Sequence, residues 1–453
     1  LLKKNDIINL HIDSCTADGS GIGRHDGMAV FVPATAIGED ISAHILKVKK
    51  TYAFAKVEEI QKPSEFRIQP SCPVYLRCGG CVFAHMDYAE ECRIKAENVK
   101  ECFRRIGGVE PEFEEIIPSE KSEGYRNKAQ YPVAIDKGEI RMGFFSSHSH
   151  RVVHCPDCRL QPKDFEGILK NFENYIKEEN VSVYDELLHK GLLRHIYLRK
   201  GVATGEIMVC AVINGNRLPN EKKLVSLLTQ ADKSITSIIV NSNKEKTNVI
   251  MGEKCRTIFG NDYITDILCG LKFRISPLSF YQVNHDQAEK LYKKAAEYAS
   301  LSGNETVMDL YCGAGTIGLS MANKAKKIIG VEIVPEAIEN AKENAELNGI
   351  RNARFICGDA SEAAVELEKE GIKPDVIILD PPRKGCSPEM VKSAVRFNPD
   401  RIVYVSCDPA TLARDCALFK ELGYTAVKAT PVDLFPRTGH CETVALMSRI
   451  EKY

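Results

Sequence analysis

Thr306-Val307-Met308-Asp309-Leu310-Tyr311-Cys312-Gly313-Ala314-Gly315-Thr316-Ile317-Gly318 is the stretch that decides the fold. A short apolar run enters a glycine-rich turn, which lets the backbone bend tightly and approach a ligand at the carboxyl end of a strand. Outward from it, strands and helices alternate to the C-terminus. Lys327–Glu332, Ala353–Cys357, Asp375–Asp380 and Arg401–Ser406 are each nearly continuous apolar runs. Such strands belong to a buried, mostly parallel sheet, so residues 271–453 are expected to form an α/β, doubly wound, Rossmann-like domain. Ahead of the turn, Ala288, Leu291 and Ala295 share one face of an expected amphipathic helix.

The chain has 453 residues, 44% hydrophobic and 27% charged, the balance of a globular protein too long for one core. No segment reaches the roughly 20 apolar residues of a membrane span, and the first residues hold no apolar run long enough for a signal peptide, so a cytoplasmic location is expected. The net charge is −1, so any nucleic-acid partner must be argued from local basic patches. Seventeen cysteines are many for a compartment where disulfides rarely persist, which points to metal ligands or reactive thiols among buried apolar ones.

Residues 1–60 read as short strands separated by turns such as Gly19-Ser20-Gly21-Ile22-Gly23, the pattern of a small OB-like β-barrel. Lys47, Lys49, Lys50, Tyr52 and Phe54 interleave basic and aromatic residues as single-strand RNA surfaces do, although lysines also protect ordinary sheet edges. Lys62-Pro63-Ser64 marks a boundary. Residues 61–270 are expected to form a central α+β domain, with a helix over 88–107 that packs on the catalytic domain and with recurring basic residues including Arg126, Lys128 and Arg199.

A bare glycine-rich turn suits a nucleotide dehydrogenase as well as a methyltransferase. Asp309, immediately before the turn, suits a charged amino-acid moiety better than a pyrophosphate. Glu332 ends the next strand, where a carboxylate can accept both ribose hydroxyls, a feature shared with NAD sites. Asp359 ends the third strand, where methyltransferases contact the adenine. The three together point to S-adenosylmethionine. Asp380-Pro381-Pro382 ends the fourth strand and by itself indicates methylation of a base amine. Cys407, in Ser406-Cys407-Asp408-Pro409, changes that reading. A thiolate added to carbon 6 of uracil makes carbon 5 an enolate nucleophile, and a base must later remove the carbon-5 proton. Glu442, at the start of the last expected strand, can serve as that base.

Ser406-Cys407-Asp408-Pro409-Ala410-Thr411-Leu412-Ala413-Arg414-Asp415 and Phe435-Pro436-Arg437-Thr438-Gly439-His440-Cys441-Glu442 resemble the RumA/TrmA family of RNA uracil-5-methyltransferases. The resemblance covers nearly the whole chain and likens the N-terminal strands to the family's RNA-binding TRAM domain. It implies that Cys407 is the nucleophile and Glu442 the general base. It places Gln282, Tyr311, Glu332, Asp359 and Asp380 at the cofactor, with Asp380 and Arg383 orienting the uracil ring. Cys72, Cys78 and Cys81 with Cys158 resemble the ligands of a [4Fe-4S] cluster in the family's ribosomal-RNA branch, which implies 23S ribosomal RNA rather than transfer RNA as substrate. Cys155 is an alternative fourth ligand, and a zinc site built from Cys78-x2-Cys81 and Cys155-x2-Cys158 is an alternative centre. A base N-methyltransferase and a non-catalytic RNA-binding iron-sulfur protein are the rival functions. A monomer without an obligate protein partner is expected.

Overall fold

The computed structural model describes residues 2–147 and 149–450, so residues 1 and 451–453 of the expected terminal domains lie outside it. Six strands from Ile7–His11 to Tyr52–Lys62 form the N-terminal sheet, in the order first, fifth, sixth, fourth, third, second. Alternation drives it to curl: Leu10, Val30, Val32, Ile41, Ile45 and Ala53 point inward and form its core. The third strand closes on the first at Gly23, where a Cβ would lie 2.2 Å from the His11 carbonyl oxygen. On the outside, Phe31, Tyr52 and Phe54 stand with ring centroids 5.4 to 5.8 Å apart. Phe54 is 41% exposed and Lys47 pairs across the ladder from it.

The central part is a seven-stranded sheet running from the edge strand Val152–His154 to Lys254–Gly260. The helices Asp164–Glu178 and Glu221–Ala231 bury Phe165, Leu169, Phe172, Leu224 and Leu228 on one face. The hairpin Ile264–Leu268 and Leu271–Ile275 serves the other face, and residue 270, the expected boundary, lies in its turn. Phe273 and Ile275 share one apolar core with Tyr197, Met208 and Ile239 of the central sheet and with Leu291, Val307 and Val444 further along the chain. Both parts need that hairpin to cover apolar surface, so the core is continuous through it.

Seven strands make the C-terminal sheet: β1 (Thr306–Leu310), β2 (Lys327–Glu332), β3 (Ala353–Cys357), β4 (Val376–Leu379), β5 (Arg401–Ser406), β6 (Tyr424–Val432) and β7 (Glu442–Arg449). Their order is β3-β2-β1-β4-β5-β7-β6, and Glu112–Phe113 adds a short parallel edge beside β6. The first five strands are parallel. The last strand is inserted antiparallel between β5 and β6. The chain leaves β1 toward β2 on one side and returns to β4 on the other. A crevice therefore opens at the carboxyl ends of β1 and β4, where open α/β sheets bind ligands.

The helix expected over 88–107 is an α-helix at Tyr88–Cys102 continued by a π-helical turn at Phe103–Gly107. Val99 and Phe103 pack with Leu412 and Phe419, which joins this early helix to the core of the α/β domain. One helix residue is a buried cation. The Lys95 ammonium donates to Glu91 Oε1 at 2.7 Å, to Asp433 Oδ1 at 2.8 Å and to the Phe435 carbonyl at 3.2 Å. Asp433 also accepts from the Tyr88 hydroxyl at 2.7 Å, and Glu91 accepts from the Arg437 backbone at 2.6 Å. Lys95→Met leaves two buried carboxylates short of their cation, and we expect a loss of about 3–5 kcal/mol of stability, read as a lower denaturant midpoint. A midpoint unchanged from the parent would overturn that account.

Candidate active site

The site is built by the ends of adjacent strands. In the β5–β7 ladder Ser406 pairs with Thr443, so Cys407, one residue beyond β5, and Glu442, the first residue of β7, meet at the same end of the sheet. Asp380 follows β4, whose Leu379 pairs with Tyr404 of β5. Three residues distant in sequence are brought to one crevice by register alone.

Glu442 is 4% exposed, and burial followed by the nearby Asp380 charge pushes its carboxyl up to about 8 against the pull of Arg383. Burial and the Asp309 charge push Asp380 up to about 7. Asp309 is likewise raised to about 7 by burial; its Oδ2 accepts from the Gly318 amide at 3.0 Å, whereas its Oδ1 has no partner. The Cys407 thiol is raised to about 11 by burial and by Glu442, with Arg383 acting in the opposite direction. It also lies just ahead of the helix Pro409–Glu421, whose N-terminus favours a thiolate. Asp408 caps that helix, accepting from the Ala410 and Thr411 amides at 2.9 and 3.1 Å.

The glycine-rich turn lies where the sequence placed it. Tyr311 holds φ at +77°, an uncommon conformation for a residue with a side chain, and its amide donates to the Val331 carbonyl at 3.0 Å. Glu332 ends β2 and accepts from the Gly313 and Val334 amides at 3.2 and 3.0 Å, which fixes it against the turn. Gln282 is buried, and the Asn127 side chain donates to its carbonyl at 2.9 Å. Asp359 acts locally as a helix cap. Its Oδ1 accepts from the Ser361 and Glu362 amides at 2.8 and 3.3 Å at the start of the helix Ala360–Lys369. Asp309, Glu332, Asp380 and Glu442 thus give the crevice acidic walls, with one buried oxygen unpartnered. Such walls fit S-adenosylmethionine, which carries an ammonium and a sulfonium.

Several residues of the two quoted motifs take supporting roles that their sequence alone does not assign. Asp415 accepts from the Cys386 amide at 2.8 Å, the Tyr404 hydroxyl at 2.6 Å and the Arg414 guanidinium, and Arg414 also donates to the Lys384 carbonyl at 2.9 Å. Together they hold the loop after Asp380. His440 lies 3.5 Å from the Arg383 guanidinium, and burial with that cation keeps its imidazole below the ordinary range. The loop 435–441 is wedged between parts of the molecule. The Val82 amide donates to the Arg437 carbonyl at 2.8 Å, and at Gly439 a Cβ would lie 2.5 Å from the Ala17 carbonyl of the barrel. Contact with the barrel therefore requires a residue without a side chain at this position.

The cysteines singled out by spacing are brought together away from this crevice. Cys72, Cys78, Cys81, Cys155 and Cys158 line one cavity of about 260 Å³, together with Arg126 and Lys128. Both candidate fourth ligands face it. Among the described residues no three ligating side chains stand close enough to hold one metal ion. No helix among them is long and apolar enough to cross a membrane.

Comparison with known proteins agrees with this architecture. The family profile of tRNA (uracil-5-)-methyltransferases matches residues 87–450, and that of the TRAM domain matches residues 3–57. An RNA methyltransferase of Clostridium tetani is 44% identical, the match covering 99% of this chain and 97% of that one. One from Halalkalibacterium halodurans is 42% identical over 98% of each. The crystal structure of Pyrococcus abyssi tRNA (uracil-54, C5)-methyltransferase in complex with S-adenosyl-L-homocysteine superposes with a TM-score of 0.79 at 30% identity, covering 97% of this chain and 99% of that one. The chain belongs to the RumA/TrmA family of S-adenosylmethionine-dependent RNA uracil-5-methyltransferases, with an N-terminal TRAM domain and a C-terminal methyltransferase fold.

Proposed function

We propose that this chain methylates carbon 5 of uracil in 23S ribosomal RNA through a covalent bond between Cys407 and carbon 6, with Glu442 removing the carbon-5 proton. The juxtaposition of Cys407 and Glu442 across the β5–β7 ladder, at the mouth of an acidic crevice, carries the reading. Bound S-adenosylmethionine supplies an electrophilic methyl group. The Cys407 thiolate forms a bond to carbon 6, and the ring electrons move toward carbon 5 and the adjacent carbonyl. After carbon 5 takes the methyl group, the Glu442 carboxylate accepts its proton, and the returning electron pair expels the thiolate. Arg383 and Asp380 orient the ring in this scheme. Gln282, Tyr311, Glu332 and Asp359 hold the methyl donor, Asp359 through the oxygen less engaged in capping.

The ribosomal substrate is supported by Cys72, Cys78, Cys81 and Cys158, which resemble the cluster ligands of the family's ribosomal-RNA branch and line one cavity here. We assign it a [4Fe-4S] cluster held by Cys72, Cys78, Cys81 and either Cys158 or Cys155. A zinc ion would draw its sulfurs to within about 3.8 Å of one another, given a Zn–S bond near 2.3 Å. A four-iron cube holds them further apart, so iron, sulfide and zinc analysis of the purified chain separates the two centres. A second reading, transfer RNA, is favoured by the full-length likeness to the Pyrococcus abyssi enzyme. Mapping 5-methyluridine in ribosomal and transfer RNA of a deletion strain separates the two. The three-part division at residues 60 and 270 and a cytoplasmic location belong to the same proposal.

The covalent step is tested with RNA carrying 5-fluorouridine at the target. Fluorine cannot leave as a proton does, so a protein–RNA adduct that survives denaturation is expected. Its absence with active enzyme and donor sinks the role of Cys407. The acidic walls carry a second expectation. Asp380 and Glu442 sit near 7 and 8 in the free protein, and a cationic donor favours their charged forms. Binding therefore releases protons. Affinity for S-adenosylmethionine should rise from pH 6 to about pH 8 and level off above it, by at most about tenfold per pH unit for each carboxylate that loses its proton. A dissociation constant flat across that range would rule out this charge coupling.

A further inference from the structure

The cysteine cavity has an electrostatic feature that the methyl-transfer chemistry does not use. Arg126 and Lys128 are on its wall, and no Asp or Glu lines it. Arg126 Nε is buried and has no hydrogen-bond partner. The charges that Lys128 feels are those of Arg199 and Arg126, both cations. Arg199 is 1% exposed; one of its nitrogens donates to the Ser276 and Ser279 carbonyls at 3.0 and 2.9 Å, while Nε and Nη2 have no partner. Three cations thus cluster, and the carboxylate beside the thiols, Asp157, meets Cys155 at 3.9 Å rather than any of them. Burying unpaired charge costs several kcal/mol per group unless an opposite charge arrives.

We propose that Arg126 and Lys128 are the counter-charges of a dianionic metal centre held by four thiolates in this cavity, and that Lys128 tunes its stability. The proposal rests on the metal-centre reading above. Four thiolates carry four negative charges, and either a [4Fe-4S] core or a zinc ion returns two positive ones, so both leave a net charge of −2. The neighbouring cations offset that charge in a setting where water does little screening. Arg199, behind them, reinforces the same field.

The test uses the full chain purified without oxygen, with iron, sulfide and zinc measured on the parent first. Broad visible absorbance with iron and sulfide identifies the cluster, and zinc without absorbance identifies the other centre. Lys128→Arg, Lys128→Gln and Lys128→Glu are then compared for metal release to a chelator and, for the cluster, for midpoint potential. Reduction adds negative charge, so the neutral variant should be at least tenfold harder to reduce, a fall of about 59 mV for one electron. Release should be at least tenfold faster in Lys128→Glu and unchanged in Lys128→Arg. Lys128→Gln, close in size, keeps the comparison usable where charge reversal prevents folding. A metal-bearing parent whose Lys128→Gln matches it in release and potential overturns the counter-charge assignment alone. A parent that binds neither iron-sulfur nor zinc after reconstitution overturns the metal reading and this proposal together. Loss of RNA binding with metal properties unchanged assigns the cations to phosphate instead and also overturns it.

Discussion

Cys407→Ser should abolish methyl transfer, lowering turnover by on the order of 10⁴-fold or more. The reason is chemical. Carbon 5 of uracil attacks a methyl group only after a nucleophile has added at carbon 6, and that nucleophile must later leave. A thiolate is polarisable and a fair leaving group, whereas a serine hydroxyl ionises far less readily and leaves poorly. Burial already lifts the Cys407 thiol to about 11, so the site works near the limit even for sulfur, with Arg383 and the helix N-terminus assisting. The substitution changes one atom and leaves the sheet intact, so thermal unfolding and S-adenosylmethionine affinity should match the parent. Single-turnover assays with labelled donor give the rate. Activity within tenfold of the parent would return the assignment to a base N-methyltransferase, as Asp380-Pro381-Pro382 alone suggests.

Much of this site is legible in the sequence because its residues end strands that can be recognised locally. The apolar runs at β1, β2, β4 and β5 announce a buried parallel sheet, and Asp309, Glu332, Asp380 and Cys407 fall at or just beyond their carboxyl ends. The antiparallel insertion of β7 between β5 and β6 is not visible in this way, since register depends on which strands become neighbours. That insertion is what brings Glu442 to Cys407. Lys95 reads as an ordinary helix charge because its partner Asp433 lies at the far end of the chain. Arg126 and Lys128 read as members of a basic series, and only the fold turns them toward the cysteines. Asp359 shows the converse: an N-cap, with its Asp followed by a helix-forming run, has a strong local signal, yet the strand-end reading passed over it.

Glu442→Gln should separate the two halves of the reaction and leave RNA attached to the protein. The amide keeps the shape of the side chain at the start of β7 but cannot take a proton. Addition of Cys407 and methyl transfer do not require that proton to leave; release does. With Glu442 as the proton acceptor, methylated RNA therefore accumulates as an adduct on Cys407 that survives denaturing electrophoresis, and turnover falls by about 10²–10⁴-fold. The parent carboxyl suits this role, since burial raises it to about 8 and makes its charged form a stronger base than an exposed glutamate. With the donor bound and Glu442 charged, removing that charge also relieves the repulsion that raises the Cys407 thiol, so adduct formation should be at least as fast in the variant. If Glu442 instead removes the thiol proton, Glu442→Gln forms no adduct before or after methyl transfer, and it then resembles Cys407→Ser. Adding Cys407→Ser to Glu442→Gln must eliminate the adduct in either case. Free 5-methyluridine RNA produced by Glu442→Gln at the parental rate would move the base to another residue, with His440 and Asp380 the neighbours to replace next.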